Sequence, residues 1–320
     1  MKKALFAIVA AAVMLAAVNV QAGEKLLIGF SNRTLNGPYF QSLTTHIENE
    51  GKKAGMEVIA TDGRGDYAKQ QNDCEDLLSR GIKYLILNPQ DPDAGIRIAR
   101  QADRQGIKVI TIDSDISLDA PVVTRILPDN VGNNLAIGRY AAEVAGNEPL
   151  KFALISGNQG NLVGAARSGN FFLGLLRAQL ETINKTNFQI VTQLWGGWDQ
   201  QGGMKAMEDA LSAHPDLNAI YTENDDMAFG AMRALAAAGK KDNEVKIYSY
   251  DGNKNAYKAI IDGKMMATGE NNPEKMAKAA IEIIQKLEKG ETKFPENTLM
   301  PILMVNKDNA AKVYNPDSLF

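Results

Sequence analysis

The sequence predicts an α/β fold of two doubly wound parallel-sheet lobes facing one another across a cleft, and three observations predict it. Short apolar runs at 26–30, 58–61, 84–87 and 109–112 are each followed by a stretch with helical periodicity. The rhythm resumes after Pro149, with runs at 152–155, 189–194, 219–222 and 246–250 and helical segments between them. Such alternation means a parallel sheet covered by helices, and a chain of 320 residues is long enough for two lobes, each burying its own core. The two halves are too dissimilar to read as a repeat. No low-complexity linker separates them, and the joining segments Leu127-Pro128-Asp129 and Gly269-Glu270-Asn271 read as ordered. Several chain crossings suit that pattern better than one flexible tether.

Ahead of the first strand, residues 1–22 have the layout of a secretory signal. Lys2 and Lys3 supply the charge, 4–18 the apolar run, and Val20-Gln21-Ala22 the small-residue cleavage site. The run is short for a membrane span, and no stop-transfer pattern or second apolar stretch follows it. The mature chain is therefore expected to begin at Gly23, soluble outside the cytoplasm, with no cysteine near the cleavage site to carry a lipid anchor. Cys74, the single cysteine, can form no internal disulfide; in a helical stretch it reads as a half-buried packing residue. With 35 basic against 38 acidic side chains and no long run of either sign, there is no footprint for nucleic acid or an anionic membrane. The expected partner is neutral or weakly charged.

In open parallel sheets, ligands bind beyond the carboxyl ends of the strands. Those positions are polar and aromatic in this chain. The first half places Asn36-Gly37-Pro38-Tyr39-Phe40, Asn88-Pro89 and Asp113-Ser114-Asp115 there; the second half places Gly164-Ala165-Ala166-Arg167, Trp195-Gly196-Gly197-Trp198-Asp199, Asn224-Asp225-Asp226 and Asp251-Gly252. Carboxylates, carboxamides and guanidinium groups bond hydroxyls in pairs, and aromatic rings cover weakly apolar C–H faces, so the inventory fits a sugar. Each residue also has an ordinary reading. Asn88-Pro89 and Asp251-Gly252 suit turns, and Asn224 or Asp225 suits a helix cap. Tyr39, Phe40 and Trp198 suit packing, and Arg167 suits a solvated helix face. Their shared position after strand ends is what favours a site.

A family resemblance runs through the same segments. Thr34-Leu35-Asn36-Gly37-Pro38-Tyr39-Phe40, Leu87-Asn88-Pro89-Gln90-Asp91, Val109-Ile110-Thr111-Ile112-Asp113, Asn224-Asp225-Asp226-Met227-Ala228-Phe229-Gly230-Ala231 and Tyr250-Asp251-Gly252 resemble ribose-type periplasmic binding proteins, the soluble receptors of sugar ABC importers. The resemblance spans the mature chain in order, including the turn at 268–273. It implies a type I periplasmic binding protein fold with a ligand cleft between the lobes. The first lobe is then 23–128 with 271–299, and the second 129–270 with 300–320, joined by three crossings. It also implies a monomer in the periplasm with no cofactor and no enzymatic activity, which closes on a monosaccharide and is recognised by a membrane permease. A chemoreceptor is a further partner within the family's range.

Carried over by position, Tyr39 and Phe40 from one lobe and Trp198 from the other would sandwich a sugar ring. Asn88, Asp113, Arg167, Asn224 and Asp251 would bond its hydroxyls. Departures from the family pattern bear on the ligand. Ser114 stands where an arginine is expected, Gly37 where an asparagine is expected with Asn36 before it, Asn271 where a glutamine serves hinge and site, and Trp198 where the family has phenylalanine. Arg33, Asn36 and Asp115 are the polar side chains near enough to reach the vacated space, and the sequence does not choose between them. The expected ligand is a pentose or another small aldose, furanose or branched such as apiose, rather than ribose held in the usual way. A hexose, a polyol or a furanosyl signal is the alternative.

Other chemistries find little support. Asp62-Gly63-Arg64-Gly65-Asp66 lacks the spacing of a dinucleotide fingerprint, and no P-loop occurs. His46 and His214 lie far apart, Cys74 has no metal-ligand partner at motif spacing, and the acidic run from Asp113 to Asp119 lacks the glycine and glutamate of a calcium loop. Asp113 and Asp251 could be an acid and base pair in an exported enzyme acting on a sugar. Arg167 beside a carboxylate is expected to hold it ionised instead. Replacing Asp251 or Arg167 by alanine is expected to abolish binding with little loss of fold.

Overall fold

In the computed structural model, which describes residues 25–320, the chain runs through β1 (Leu27–Asn32), α1 (Pro38–Lys53), β2 (Glu57–Asp62), α2 (Tyr67–Ser79), β3 (Tyr84–Leu87), α3 (Pro92–Arg104), β4 (Lys108–Ile112) and β5 (Arg125–Leu127). A crossing then leads to α4 (Asn130–Ala145), β6 (Leu150–Ser156), α5 (Leu162–Ile183), β7 (Phe188–Trp195), α6 (Gln200–Ala213), β8 (Ala219–Thr222), α7 (Asp225–Ala237), β9 (Lys246–Asp251), α8 (Lys254–Ile261) and β10 (Ala267–Glu270). The chain returns as α9 (Pro273–Glu288) and β11 (Asn297–Leu299), then crosses again to end with β12 (Met304–Asn306) and α10 (Ala310–Val313). The secretory segment read at 1–22 lies outside the described residues.

Two six-stranded sheets result, ordered β11-β5-β4-β3-β1-β2 and β12-β10-β9-β8-β6-β7. The orders are identical once the strands of each lobe are counted from its own first strand. This duplication in space is one that the sequence does not display. All neighbours are parallel except β10 and β12, which pair antiparallel. In each sheet the winding direction reverses beside the first strand, between β1 and β3 or between β6 and β8, and such a switch point opens a crevice at the carboxyl ends.

The strands read as nearly unbroken apolar runs because helices cover both faces. In the first lobe Ile28, Phe30, Tyr84, Ile86, Ile110 and Ile112 face α1 and α9, while Leu85, Leu87 and Val109 face α2 and α3. In the second, Phe152, Leu154, Tyr221, Tyr248 and Tyr250 face α4 and α5, and Ile155, Ile220 and Ile247 face α6 to α8. The α4 and α5 helices approach closely at Gly138, where a Cβ would lie 2.0 Å from the Phe171 carbonyl oxygen. Cys74 is fully buried rather than half-buried, because its turn of α2 packs under β3, and burial pushes its thiol pKa up to about 12. The chain ends against the first lobe, where the Phe320 ring meets Tyr39 edge-on at 5.4 Å. Among the described residues, no helix is long and apolar enough to cross a membrane.

Helix starts sit where the site needs them. Asp66, Asp91, Asp129, Asn161, Asp199, Asn224, Asn253 and Asn272 each accept a backbone N–H of the first turn of their helix, which ties each loop to the helix it precedes.

Candidate ligand-binding site

Of the six non-glycine residues with positive φ among the described residues, Arg64, Asn184 and Asn243 lie in loops away from the site and three lie in it. Asp113 (φ 66°), Trp198 (φ 68°) and Asp251 (φ 119°) are non-glycine residues with positive φ. Each lies at or just beyond the end of β4, β7 or β9. Such conformations cost on the order of 1–3 kcal/mol each and persist where the surroundings enforce them. For Asp251 the enforcing contact is its carbonyl, which accepts the Asn271 N–H at 2.8 Å across the second crossing.

In the first lobe the carboxyl ends of β1, β3 and β4 are bonded into one unit. Asn32, the last residue of β1, donates to the Phe40 carbonyl and to Thr44 Oγ1 of α1, and accepts from Asn88 Nδ2 at 3.1 Å. Gln70 of α2 holds the β3 loop, donating to the Asn88 carbonyl and accepting from the Gln90 N–H. Against this frame the Asp113 carboxylate accepts from Asn88 Nδ2 and from Asn271 Nδ2, both at 3.4 Å. Asn271 Oδ1 accepts from the Tyr39 hydroxyl at 3.2 Å. Asn88, Asp113, Asn271 and Tyr39 thus form one array. Tyr39 is buried in the core of its lobe, with its ring edge-on to Phe40, which is half-buried.

The second-lobe array centres on Arg167, which is 4% exposed. Its Nε donates to Asn130 Oδ1 at 3.0 Å, and its Nη1 to the Glu223 carbonyl at 2.9 Å and to Asp251 Oδ1 at 3.0 Å. The guanidinium lies 4.1 Å above the Tyr250 ring centroid. Trp198 lies over Gly157, where any Cβ would fall 1.9 Å from the indole. The carboxamide of Asn224 is largely committed within the lobe: Oδ1 caps Met227 and Nδ2 donates to the Trp198 carbonyl. It supports the tryptophan as much as it offers a ligand contact.

Three side chains near the vacated position resolve differently. Arg33 reaches it, donating from Nη1 to Ser114 Oγ at 3.2 Å and from Nε to Gln90 Oε1 at 3.1 Å. Asp115 turns away to pair with the buried Arg125 at 3.3 Å. Asn36 is exposed, and its backbone N–H bonds Thr34 Oγ1, so the structure gives its side chain no place in either array. Sequence reasoning had no assignment for Asn130 or Gln90. Asn130 opens α4 directly after the first crossing, and strand-end position was the signal that could have found Gln90.

Electrostatics depart from expectation at Asp251. Burial, reinforced by the facing Asp113, pushes its carboxyl up to about 7 although Arg167 opposes the shift. An ion pair at 3.0 Å does not offset the desolvation of a carboxyl that is 14% exposed. Burial also works against the Arg167 charge, but Asp251 and the surrounding acidic groups keep its pKa above the usual arginine value. Asp225, buried behind the site, is pushed up to about 8, first by burial and then by Asp251. Among the described residues, no group of three or more His, Cys, Asp or Glu side chains gathers as a metal cluster.

Residues 28–292 match the family profile described as the periplasmic binding protein domain. This chain belongs to the periplasmic binding protein family. The ribose import binding protein of Bacillus subtilis is 34% identical over 259 residues, covering 81% of this chain and 80% of that protein. A D-apiose import binding protein of Paraburkholderia graminis is 27% identical over 289 residues, covering 90% of this chain and 89% of its own length. Among solved structures, an ABC transporter solute-binding protein from Mycobacterium smegmatis with bound glycerol superposes with a TM-score of 0.81 at 32% identity, covering 92% of this chain and 98% of that one. The paired, mostly parallel sheets are those of a type I periplasmic binding protein. The family consists of binding components of transport systems rather than enzymes.

Proposed function

We propose that this chain is the periplasmic receptor of an ABC importer, that it captures a neutral monosaccharide between its lobes, and that it catalyses no reaction. The observation that carries the reading is the pair of facing polar arrays, Asn88–Asp113–Asn271 and Asn130–Arg167–Asp251, with Phe40 and Trp198 beside them. Hydrogen bonds to charged groups contribute on the order of 1.5–3 kcal/mol each, so five or six support micromolar affinity, about −8 kcal/mol, after ordering costs. Similarity to relatives named for ribose and D-apiose supports a pentose or other small aldose, in furanose or branched form.

A ligand that touches both lobes shifts an open–closed equilibrium by its differential affinity for the closed form, and a membrane permease recognises that form. The chain acts as a monomer between two lobes built at 23–128 with 271–299 and 129–270 with 300–320. In this reading residues 1–22 are removed on export. Asn271, bonded to Tyr39, to Asp113 and to the Asp251 backbone, lies at the crossing that closure would bend.

One observation favours a second reading. Facing carboxyls, one of them with a raised pKa, also suit an exported glycosidase. Release of nitrophenol from aryl furanosides by the purified protein would establish it. The receptor reading is tested by thermal-shift measurements on residues 23–320 with pentoses, branched aldoses, hexoses and polyols. A rise confined to one or two small aldoses is expected. Stabilisation by hexoses or polyols alone would overturn the ligand class, and no shift with any sugar would overturn the receptor reading.

A further inference from the structure

Arg33 follows β1 directly, and its backbone is fixed: its carbonyl accepts the Gly65 N–H at 2.9 Å, while Asn32 before it is bonded to both α1 and Asn88. From this anchor the side chain crosses the carboxyl ends of β3 and β4. Nε bonds Gln90, Nη1 bonds Ser114, and the guanidinium carbon lies 5.9 Å from the centroid of Phe40. Burial lowers the pKa of Arg33, and the charge of Asp113 opposes that shift. A guanidinium carries five N–H donors in a rigid fork. Only two of them have partners among the described residues, at Gln90 and Ser114. The remaining donors have no partner among the described residues, and the group lies near Phe40, a residue already placed in the cleft.

We infer that Arg33 is a specificity-determining residue: its fork, held across the ends of β1, β3 and β4, donates to adjacent oxygens of the sugar from the first lobe. It is the counterpart of Arg167 in the second lobe. Two guanidinium groups then face two carboxyls, Asp113 and Asp251, across the cleft. That balance favours an uncharged polyol-like ligand, and the planar fork favours one with neighbouring oxygens on the edge turned to the first lobe. Ser114 is short so that this fork can lie over it; a long side chain at 114 would occupy the same space. The inference rests on the receptor reading above.

The test is isothermal titration of wild type, Arg33→Ala and Arg33→Lys with D-ribose, L-arabinose and D-apiose and with monodeoxy forms of whichever binds. Arg33→Ala is expected to weaken the parent sugar about 10- to 150-fold. For the two deoxy forms that each lack one of the contacted hydroxyls, the loss should shrink at least about threefold relative to the parent sugar, since part of the interaction is already absent, while the other deoxy forms keep the full loss. Arg33→Lys, which keeps the charge but not the fork, should fall between the two and guards against a folding defect in the alanine variant. Equal losses for every deoxy form would make Arg33 a structural brace and overturn the assignment, as would affinity unchanged within threefold. Wild type that binds none of the three pentoses would overturn the ligand class proposed above and this assignment with it, while the receptor reading stands or falls on the broader thermal-shift panel.

Discussion

Arginine 167 is where binding and stability are most tightly joined, and replacing it with alanine should expose both. The substitution removes three hydrogen bonds and a cation stacked 4.1 Å above Tyr250, and it leaves Asp251 buried without its ion partner. Breaking a buried pair in this way costs on the order of 3–5 kcal/mol when the remaining charge stays ionised. Protonation offers Asp251 an escape. In the wild type its pKa is already raised to about 7, so the folded state holds a proton that the unfolded chain, with an ordinary carboxyl, releases. A raised carboxyl therefore contributes a loss of stability as pH climbs from about 4 through the folded value. Arg167 is the principal influence holding that value down, so its removal extends the window above 7.

At pH 5 Asp251 is protonated in both folded proteins, and the variant should be less stable by about 2 kcal/mol for lost hydrogen bonds and packing. At pH 8 the deficit should widen to about 3 kcal/mol, because wild-type Asp251 stops taking up protons above about 7 while the variant's carboxyl still does, a difference of at most about 1.4 kcal/mol per pH unit. Urea unfolding followed by far-ultraviolet circular dichroism at the two pH values measures both. In the Asp251→Asn background, where no carboxyl is left to titrate at 251, the deficit caused by Arg167→Ala should be independent of pH. A deficit equal at the two pH values in the single variant, or larger at pH 5, would refute the reasoning. The sequence alone reads this change as a binding lesion with little cost to the fold; the burial of Arg167 adds the stability cost.

Two further outcomes follow from neighbouring contacts. Asp225, which accepts from the Asn253 N–H and Thr268 Oγ1 and is pushed up to about 8, adds its own loss of stability as pH rises from about 4 to 8. Asp225→Asn should therefore flatten the fall in melting temperature between pH 6 and 9, and a slope identical to wild type would contradict this. Gly157→Ala places a methyl 1.9 Å from the Trp198 indole, which must move, so sugar affinity should drop about tenfold or more and tryptophan emission should shift. Unchanged emission and affinity would show that Trp198 does not face the ligand.

Strand-end position was a sound guide because parallel sheets put their loops on one rim. Asn88, Asp113 and Asp251 lie at such ends, whereas Arg167 sits in the second turn of α5 and reaches the rim from there, and the structure brings the four into two arrays. Other features were out of reach. Asn224 serves as a cap and a support for Trp198, and its residue type fits both roles equally. Asn36, singled out by its neighbours in sequence, is exposed because the chain turns outward before α1. Arg33 was one of three side chains the sequence offered for the vacated space, and only the folded distance to Ser114 distinguishes it from Asp115, which pairs with Arg125 instead. The raised carboxyl of Asp251 depends on how much water the fold excludes, which no local pattern encodes. The duplicated strand order was hidden too, because topology constrains which faces are apolar without prescribing which apolar residue fills each place.

The central claim is that one sugar bridges Asp113 and Asp251 across the cleft. Calorimetric titration of wild type, Asp113→Asn and Asp251→Asn with the small aldose that most raises the melting temperature tests it. One site per chain at micromolar affinity is expected in the wild type, with each single substitution weakening it at least about tenfold. One-to-one binding that survives both substitutions unchanged would contradict the account and place the ligand elsewhere.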